Sequence, residues 1–126
     1  MRVVITGAAG FAGRALIRQL VVSHQLVAVD RNCSMLDGGP DLLCVEGDLA
    51  DPEDLEKAHE DGCDAVVHLA TVPGGASEED PNAAWRVKVD ASARFISLAS
   101  RSGPRTRFLF ASTIAALGEP SPRGRG

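Results

Sequence analysis

Tyrosine does not occur in this chain of 126 residues, so a phenol is excluded as its catalytic acid or base. Positive charge is in deficit: 13 lysines and arginines stand against 17 acids, a formal net of −4. A nucleic-acid partner calls for a basic surface, and none is expected. No apolar run approaches the roughly 20 residues that cross a bilayer, so no membrane partner is expected either. No charged and apolar leader occupies Met1 to Thr6, and a cytoplasmic location is the expectation. Cysteine is sparse. Cys33, Cys44 and Cys63 form no Cys-x-x-Cys and no zinc spacing, so no metal is expected; they read as reduced thiols in or near the core.

What is present suffices for one folded domain: 44% of the residues are hydrophobic and 24% charged. Arg2-Val-Val-Ile-Thr6 is short and β-branched and predicts a strand buried on both faces. Phe11 to Val22 has helical spacing, with Ala12, Leu16 and Leu20 on one face. Gln25 to Val29 predicts a second strand, ending at Asp30, and Leu42 to Val45 a third, joined to it by a short link. Asp51-Pro52-Glu53-Asp54 is a helix start, with an Asp cap and Pro in the first turn; that helix runs to about His59. Asp64 to Leu69 predicts a fourth strand, Thr71 to Asp80 a polar loop, and Pro81 to about Ser100 a long helix. Arg107 to Ala111 predicts a fifth strand, and 119–126 a disordered tail after a domain spanning 1–118.

Apolar strands alternating with helices imply an α/β fold, a doubly wound parallel sheet of Rossmann type. Right-handed crossovers and a glycine-rich first turn suggest strand order 3-2-1-4-5.

Thr6-Gly7-Ala8-Ala9-Gly10-Phe11-Ala12-Gly13 lies between the first strand and the first helix, the context in which a glycine triplet reads as a dinucleotide site. Gly7 permits the tight turn, Gly10 lets a pyrophosphate approach the backbone, and Gly13 lets the helix pack close to the sheet. The helix N-terminus presents N–H groups and partial positive charge to the phosphates. Asp30 ends the second strand, where a carboxylate would accept from both ribose hydroxyls and repel a 2′-phosphate, so NAD is expected ahead of NADP. Arg31 would reach a 2′-phosphate or remain a solvated surface residue. Asp48 and Leu49 would hold an adenine, or form a strand-end turn that caps the next helix.

Thr-Gly-x-x-Gly-x-x-Gly, Asp30, Gly47-Asp48-Leu49, His68-Leu69-Ala70-Thr71 and Phe110-Ala111-Ser112-Thr113 together resemble the extended short-chain dehydrogenase/reductases, the NAD-dependent epimerase/dehydratase proteins of sugars and sugar nucleotides. The resemblance covers Met1 to Gly118. The loop from Val66 to Ser77 is most similar to the D-erythronate dehydrogenase branch, which oxidises a sugar acid with NAD. Carried over, the resemblance implies that Gly7, Ala9, Gly10, Phe11 and Gly13 contact pyrophosphate, and Asp30 and Arg31 the adenosine ribose. Leu69, Ala70 and Thr71 would lie along the pyrophosphate and nicotinamide ribose, with Ser112 beside the nicotinamide. Thr113 matches the catalytic Ser/Thr that hydrogen-bonds the substrate oxygen. His68 is no base in this pattern and is expected to pack or cap within the sheet.

The pattern breaks in three places. The family's tyrosine, with a lysine four positions on, is missing, and so is the substrate lobe that roughly doubles such chains. The sequence therefore resembles an amino-terminal half, expected to be inactive by itself. Asn-x-x-Gly-Thr of the long helix is Lys88-Val-Asp-Ala91-Ser92, which puts a charge at a cofactor-side position. The fifth strand, with Phe108, Leu109 and Phe110, becomes an open sheet edge. Trp85, Phe95 and Ile96 read as core residues first and as a homodimer face second. The partners expected are a dinucleotide and, through the family, a sugar or sugar-acid substrate. Two other readings stay open: a non-catalytic nucleotide-sensing or partner-binding module of the same fold, and a chain that binds no ligand.

Overall fold

In the computed structural model, which describes residues 1–72 and 74–118, five strands form one parallel sheet. They are β1 (Arg2–Thr6), β2 (Gln25–Asp30), β3 (Leu42–Glu46), β4 (Ala65–His68) and β5 (Arg107–Phe110), in the order β3-β2-β1-β4-β5. This is the predicted order. The predicted tail, 119–126, lies outside the described residues.

Strand alternation divides the core into two layers. Val3, Ile5, Leu26 and Ala28 point to one face, where α1 (Phe11–Leu20) covers them with Ile17. Val4, Val27, Val29 and Val66 point to the other. There α2 (Pro52–His59) supplies Leu55 and Ala58, and α5 (Ala91–Ser102) supplies Phe95, Leu98 and Ala99. Helices on both faces explain why the central strands are apolar at nearly every position.

Local chemistry places the helix starts. The Asp51 carboxylate accepts the Glu53 N–H at 2.9 Å and opens α2. Asp80 accepts the Ala83 N–H at 2.9 Å and opens α4 (Pro81–Trp85).

Several expectations need correction. The inward seam of α1 runs through Gly13 and Ile17, and Ala12 is exposed. A Cβ on Gly13 would stand 2.4 Å from the Gly7 carbonyl oxygen, so this bare position must face the glycine turn and fixes the helix rotation. The helix closes at Leu20, whose carbonyl takes the N–H groups of both Ser23 and His24; Val22 lies beyond it. The segment expected as a loop holds a short helix, α3 (Gly74–Glu79), closed by the Asp80 N–H on the Ala76 carbonyl at 3.2 Å. The long helix is not uniform. Between α4 and α5, Arg86–Asp90 forms a π turn in which the Ala91 N–H returns five residues to the Arg86 carbonyl.

Cys33 and Cys63 are buried as expected, but Cys44 is exposed because β3 is an edge strand. Phe95 is fully buried, whereas Trp85 and Ile96 keep 61% and 52% of their surface exposed and are not core residues.

Candidate functional site

The five strands run parallel, so their carboxyl ends share one edge. Strand order reverses between β1 and β4, the place where open parallel sheets carry a crevice outside the carboxyl ends of their strands. A cleft of about 510 Å³ occupies it.

The floor of the cleft is the turn after β1. Gly7 has φ +66°, and a Cβ there would stand 2.8 Å from the Ala70 nitrogen. Only glycine combines that conformation with so close an approach to the chain leaving β4. The N-terminus of α1 carries no side-chain cap and no acid in its first turn. Gly10, the N-cap residue of the helix, lines the cleft, so the positive end of the helix dipole stands beside it.

Asp30 stands at the rim. Its Oδ2 accepts the Ala9 N–H at 2.9 Å, and its Oδ1 accepts the Arg31 N–H at 2.8 Å. The carboxylate thus ties the glycine turn to the end of β2, a role not apparent from spacing. Each oxygen retains a lone pair for a further donor.

On the β3 side, Asp48 Oδ1 accepts the Ala50 N–H at 2.9 Å, and its own N–H donates to Asp54 Oδ2 at 2.9 Å. That bond, and then Lys57, hold the Asp54 carboxyl below its usual range. A Cβ on Gly47 would meet the Asp54 side chain at 2.6 Å. The turn is therefore self-supporting. Leu49 does double duty, lining the cleft and belonging to the core beneath it.

The β4 side is held by buried hydrogen bonds whose proton directions can be deduced. Ser92 Oγ donates to the Lys88 carbonyl at 2.7 Å, so its one proton is committed. His68 Nε2, 2.8 Å from Ser92 Oγ, must then carry the hydrogen and donate. His68 Nδ1 accepts from Thr6 Oγ1 at 2.7 Å, and Thr6 Oγ1 accepts the Ala70 N–H at 3.2 Å. Burial holds the imidazole below its ordinary pKa, which agrees with a neutral ring. His68 thus packs within the sheet, as expected, and also couples Ala70, at the cleft, to the π turn.

Of the residues predicted for the site, Gly7, Gly10, Asp30, Arg31, Asp48, Leu49, Leu69, Ala70 and Thr71 line the cleft together. Ala9, Phe11, Gly13, Lys88, Ser112 and Thr113 are not part of that lining. Gly13 is buried under the turn, and Phe11 is 90% exposed beside it. Lys88 is half-buried in the π turn, and Ser112 and Thr113 are exposed after β5. Sequence reasoning missed Ala83, Arg86 and Val87 of the far wall. A period of 3.6 gives no warning of a π turn, so the placing of Arg86 and Val87 at the cleft had no signal.

One other pair looks chemical. Cys63 Sγ lies 3.3 Å from His59 Nε2, both buried. Burial pushes the thiol up and the imidazole down, so neither is charged and the pair packs as neutral groups. Among the described residues no cluster of His, Cys, Asp and Glu fits a metal ion, and no helix is long and apolar enough to cross a membrane.

Residues 3–125 match the model of the NAD dependent epimerase/dehydratase family. The chain is 37% identical over 135 residues to a D-erythronate dehydrogenase of Cupriavidus necator, covering 97% of this chain and 41% of that protein. It resembles a short-chain dehydrogenase/reductase superfamily protein of Agrobacterium tumefaciens solved with bound NAD, with TM-score 0.72, 29% identity, and 90% and 33% of the two chains covered. It also shares its fold with an epimerase of Methanothermobacter thermautotrophicus, with TM-score 0.83, 24% identity, and 96% and 38% covered. The chain spans about two-fifths of the length of the curated relatives it matches first.

Proposed function

Because the chain belongs to the NAD dependent epimerase/dehydratase family, we propose that it is the NAD-binding part of a dehydrogenase or epimerase acting at a secondary alcohol of a sugar or sugar acid. The observation that carries this reading is the cleft at the sheet reversal, where the bare Gly7 turn, the uncapped α1 and the Asp30 carboxylate converge. The fit to a dinucleotide rests on that cradle: Gly10 and Asp30 line it beside the uncapped α1, and the cleft continues from the glycine turn to Asp48 and Leu49.

Gly7, Ala9, Gly10, Phe11 and the N–H groups of α1 would take the pyrophosphate, with Gly13 holding α1 against the turn. Asp30 would accept from the adenosine ribose hydroxyls and exclude a 2′-phosphate, with Arg31 at the solvent side. NAD is accordingly proposed over NADP. Asp48 and Leu49 would hold the adenine. Leu69, Ala70 and Thr71 would border the nicotinamide ribose, with Lys88 behind them and Ser112 at the nicotinamide end. Thr113 would hydrogen-bond the substrate oxygen. NAD, when bound, supplies the hydride acceptor.

These 126 residues contain no tyrosine to take the substrate proton. We infer that alone they bind nucleotide and do not turn substrate over. The same absence favours a second reading, a nucleotide-sensing or partner-binding module without catalysis.

The test is calorimetric titration of the chain with NAD and NADP, beside Asp30→Ala. Saturable NAD binding, lost in the variant and not matched by NADP, is expected. Absence of NAD binding by folded protein would overturn the reading. Turnover of a sugar acid at ordinary enzyme rates would overturn the inferred inactivity.

A further inference from the structure

A second reactive feature lies outside the cleft, on the face of the sheet that α1 covers. In the β2–β3 ladder Cys44 is the register partner of Ala28 and Glu46 that of Asp30. Ala28 packs toward α1, so by alternation Cys44 and Glu46 lie on that face too. Cys33, in the link after β2, is pinned there, its backbone N–H donating to Glu46 Oε1 at 2.9 Å. This bond sets Cys33 two residues along the same strand face from Cys44. The two side chains are neighbours on that face, and Cys44 is among the groups that act on the Cys33 thiol. Cys33 is buried and Cys44 exposed.

We propose that Cys33 and Cys44 are a two-thiol site that reacts with low-molecular-weight disulfides and closes into a reversible internal disulfide. Cys44, at an exposed sheet edge, is the entry thiol. It loses its proton to solvent, and its sulfur attacks one sulfur of the small disulfide. The small S–S bond breaks, and one small thiolate leaves and takes up a proton. The mixed disulfide on Cys44 is then attacked by Cys33, which gives its proton to solvent. A Cys33–Cys44 bond forms and a second small thiol is released. Two protein thiols are oxidised and one small disulfide is reduced to two thiols.

The order of the two steps follows from their surroundings. Burial, and then Cys44, push the Cys33 thiol up to about 11. Cys33 therefore holds its proton while Cys44 is a free sulfur. Capping Cys44 takes away its share in raising Cys33, so Cys33 becomes easier to ionise once it has a bond to attack. The site is independent of the nucleotide reading, since neither cysteine lines the cleft.

Oxidised glutathione, added to the folded 126-residue chain at mildly alkaline pH, tests this. No lysine or arginine separates Asn32 from Lys57, so one tryptic peptide carries both cysteines. That peptide is expected to lose two hydrogens and to regain them with dithiothreitol, while the buried Cys63 stays reduced. Cys33→Ser should hold a glutathione adduct on Cys44, and Cys44→Ser should react at least tenfold more slowly. A stable glutathione adduct on Cys44 in the unaltered chain, with Cys33 still reduced, would overturn the proposal. So would equal reactivity of all three cysteines. The unaltered chain alone decides between these outcomes, so the test survives a variant that fails to fold.

Discussion

Thr6 and His68 are register partners across the β1–β4 ladder and are joined by their side chains, Oγ1 to Nδ1 at 2.7 Å, in the buried interior. A polar pair here is tolerable only because each further polar atom also has a partner. Thr6 takes the Ala70 N–H, and His68 reaches Ser92. Ser92→Ala removes the acceptor of the Nε2 hydrogen and leaves a buried donor without a partner. Unfolding in urea should show a loss of about 1–3 kcal/mol. A loss of only a few tenths would mean that the ring does not depend on Ser92.

Acid should weaken the fold through two histidines. Burial lowers His68, and burial followed by Arg101 and Arg2 lowers His59, both from 6.5. The unfolded chain thus binds more protons than the native one as pH falls below that value. Stability is fully present above about pH 6.5 and is lost going down, by at most about 1.4 kcal/mol per pH unit per histidine until each folded-state pKa is passed. Titration of the imidazole C–H resonances should show His59 and His68 ionising below 6.5. Ionisation at or above 6.5 would contradict the neutral ring deduced from the hydrogen-bond directions.

Gly13→Ala places a methyl 2.4 Å from one backbone oxygen and 2.5 Å from another, with no flexible side chain to yield. Overpacking of about 1–3 kcal/mol is expected in chemical denaturation. Gly10→Ala meets only the Gly7 oxygen, at 3.2 Å, so its stability should remain within about 1 kcal/mol. If Gly13→Ala proves as stable as Gly10→Ala, α1 is not seated on the turn as described.

β5 ends the sheet with Leu109 and Phe110 half exposed. An open apolar edge invites pairing with another chain. Sedimentation should show association rising with concentration, reduced by Leu109→Lys. A monomer at high concentration would remove the edge as an association site.

The strands were legible in the sequence as short, largely apolar runs, and their order because right-handed crossovers and a glycine-rich first turn leave few alternatives. The turn of Gly7, Gly10 and Asp30 was legible because backbone demands leave few residue choices. Less could be read where the winding changes. Arg86 and Val87 reach the cleft through a π turn, and Ala12 faces outward because Gly13 sets the rotation of α1. Neither departs from helical composition, so neither leaves a mark in residue type. Asp30 was found by position, but its grip on the Ala9 amide depends on the path of the turn, which spacing does not encode.

The three glycines between β1 and α1 spell two messages, not one. Two of the letters are dictated by the empty protein: bare positions at Gly7 and Gly13 are required by backbone that would otherwise collide, whatever is bound. A descendant of this chain that abandoned nucleotides altogether would still have to write them. Gly10 faces the cleft, and a methyl there meets one backbone oxygen at 3.2 Å, a contact a small shift relieves, so it is the letter that can change when the ligand is lost. Reading the history of this site in its lineage therefore comes down to the middle glycine, while the outer two record only that the fold has been kept.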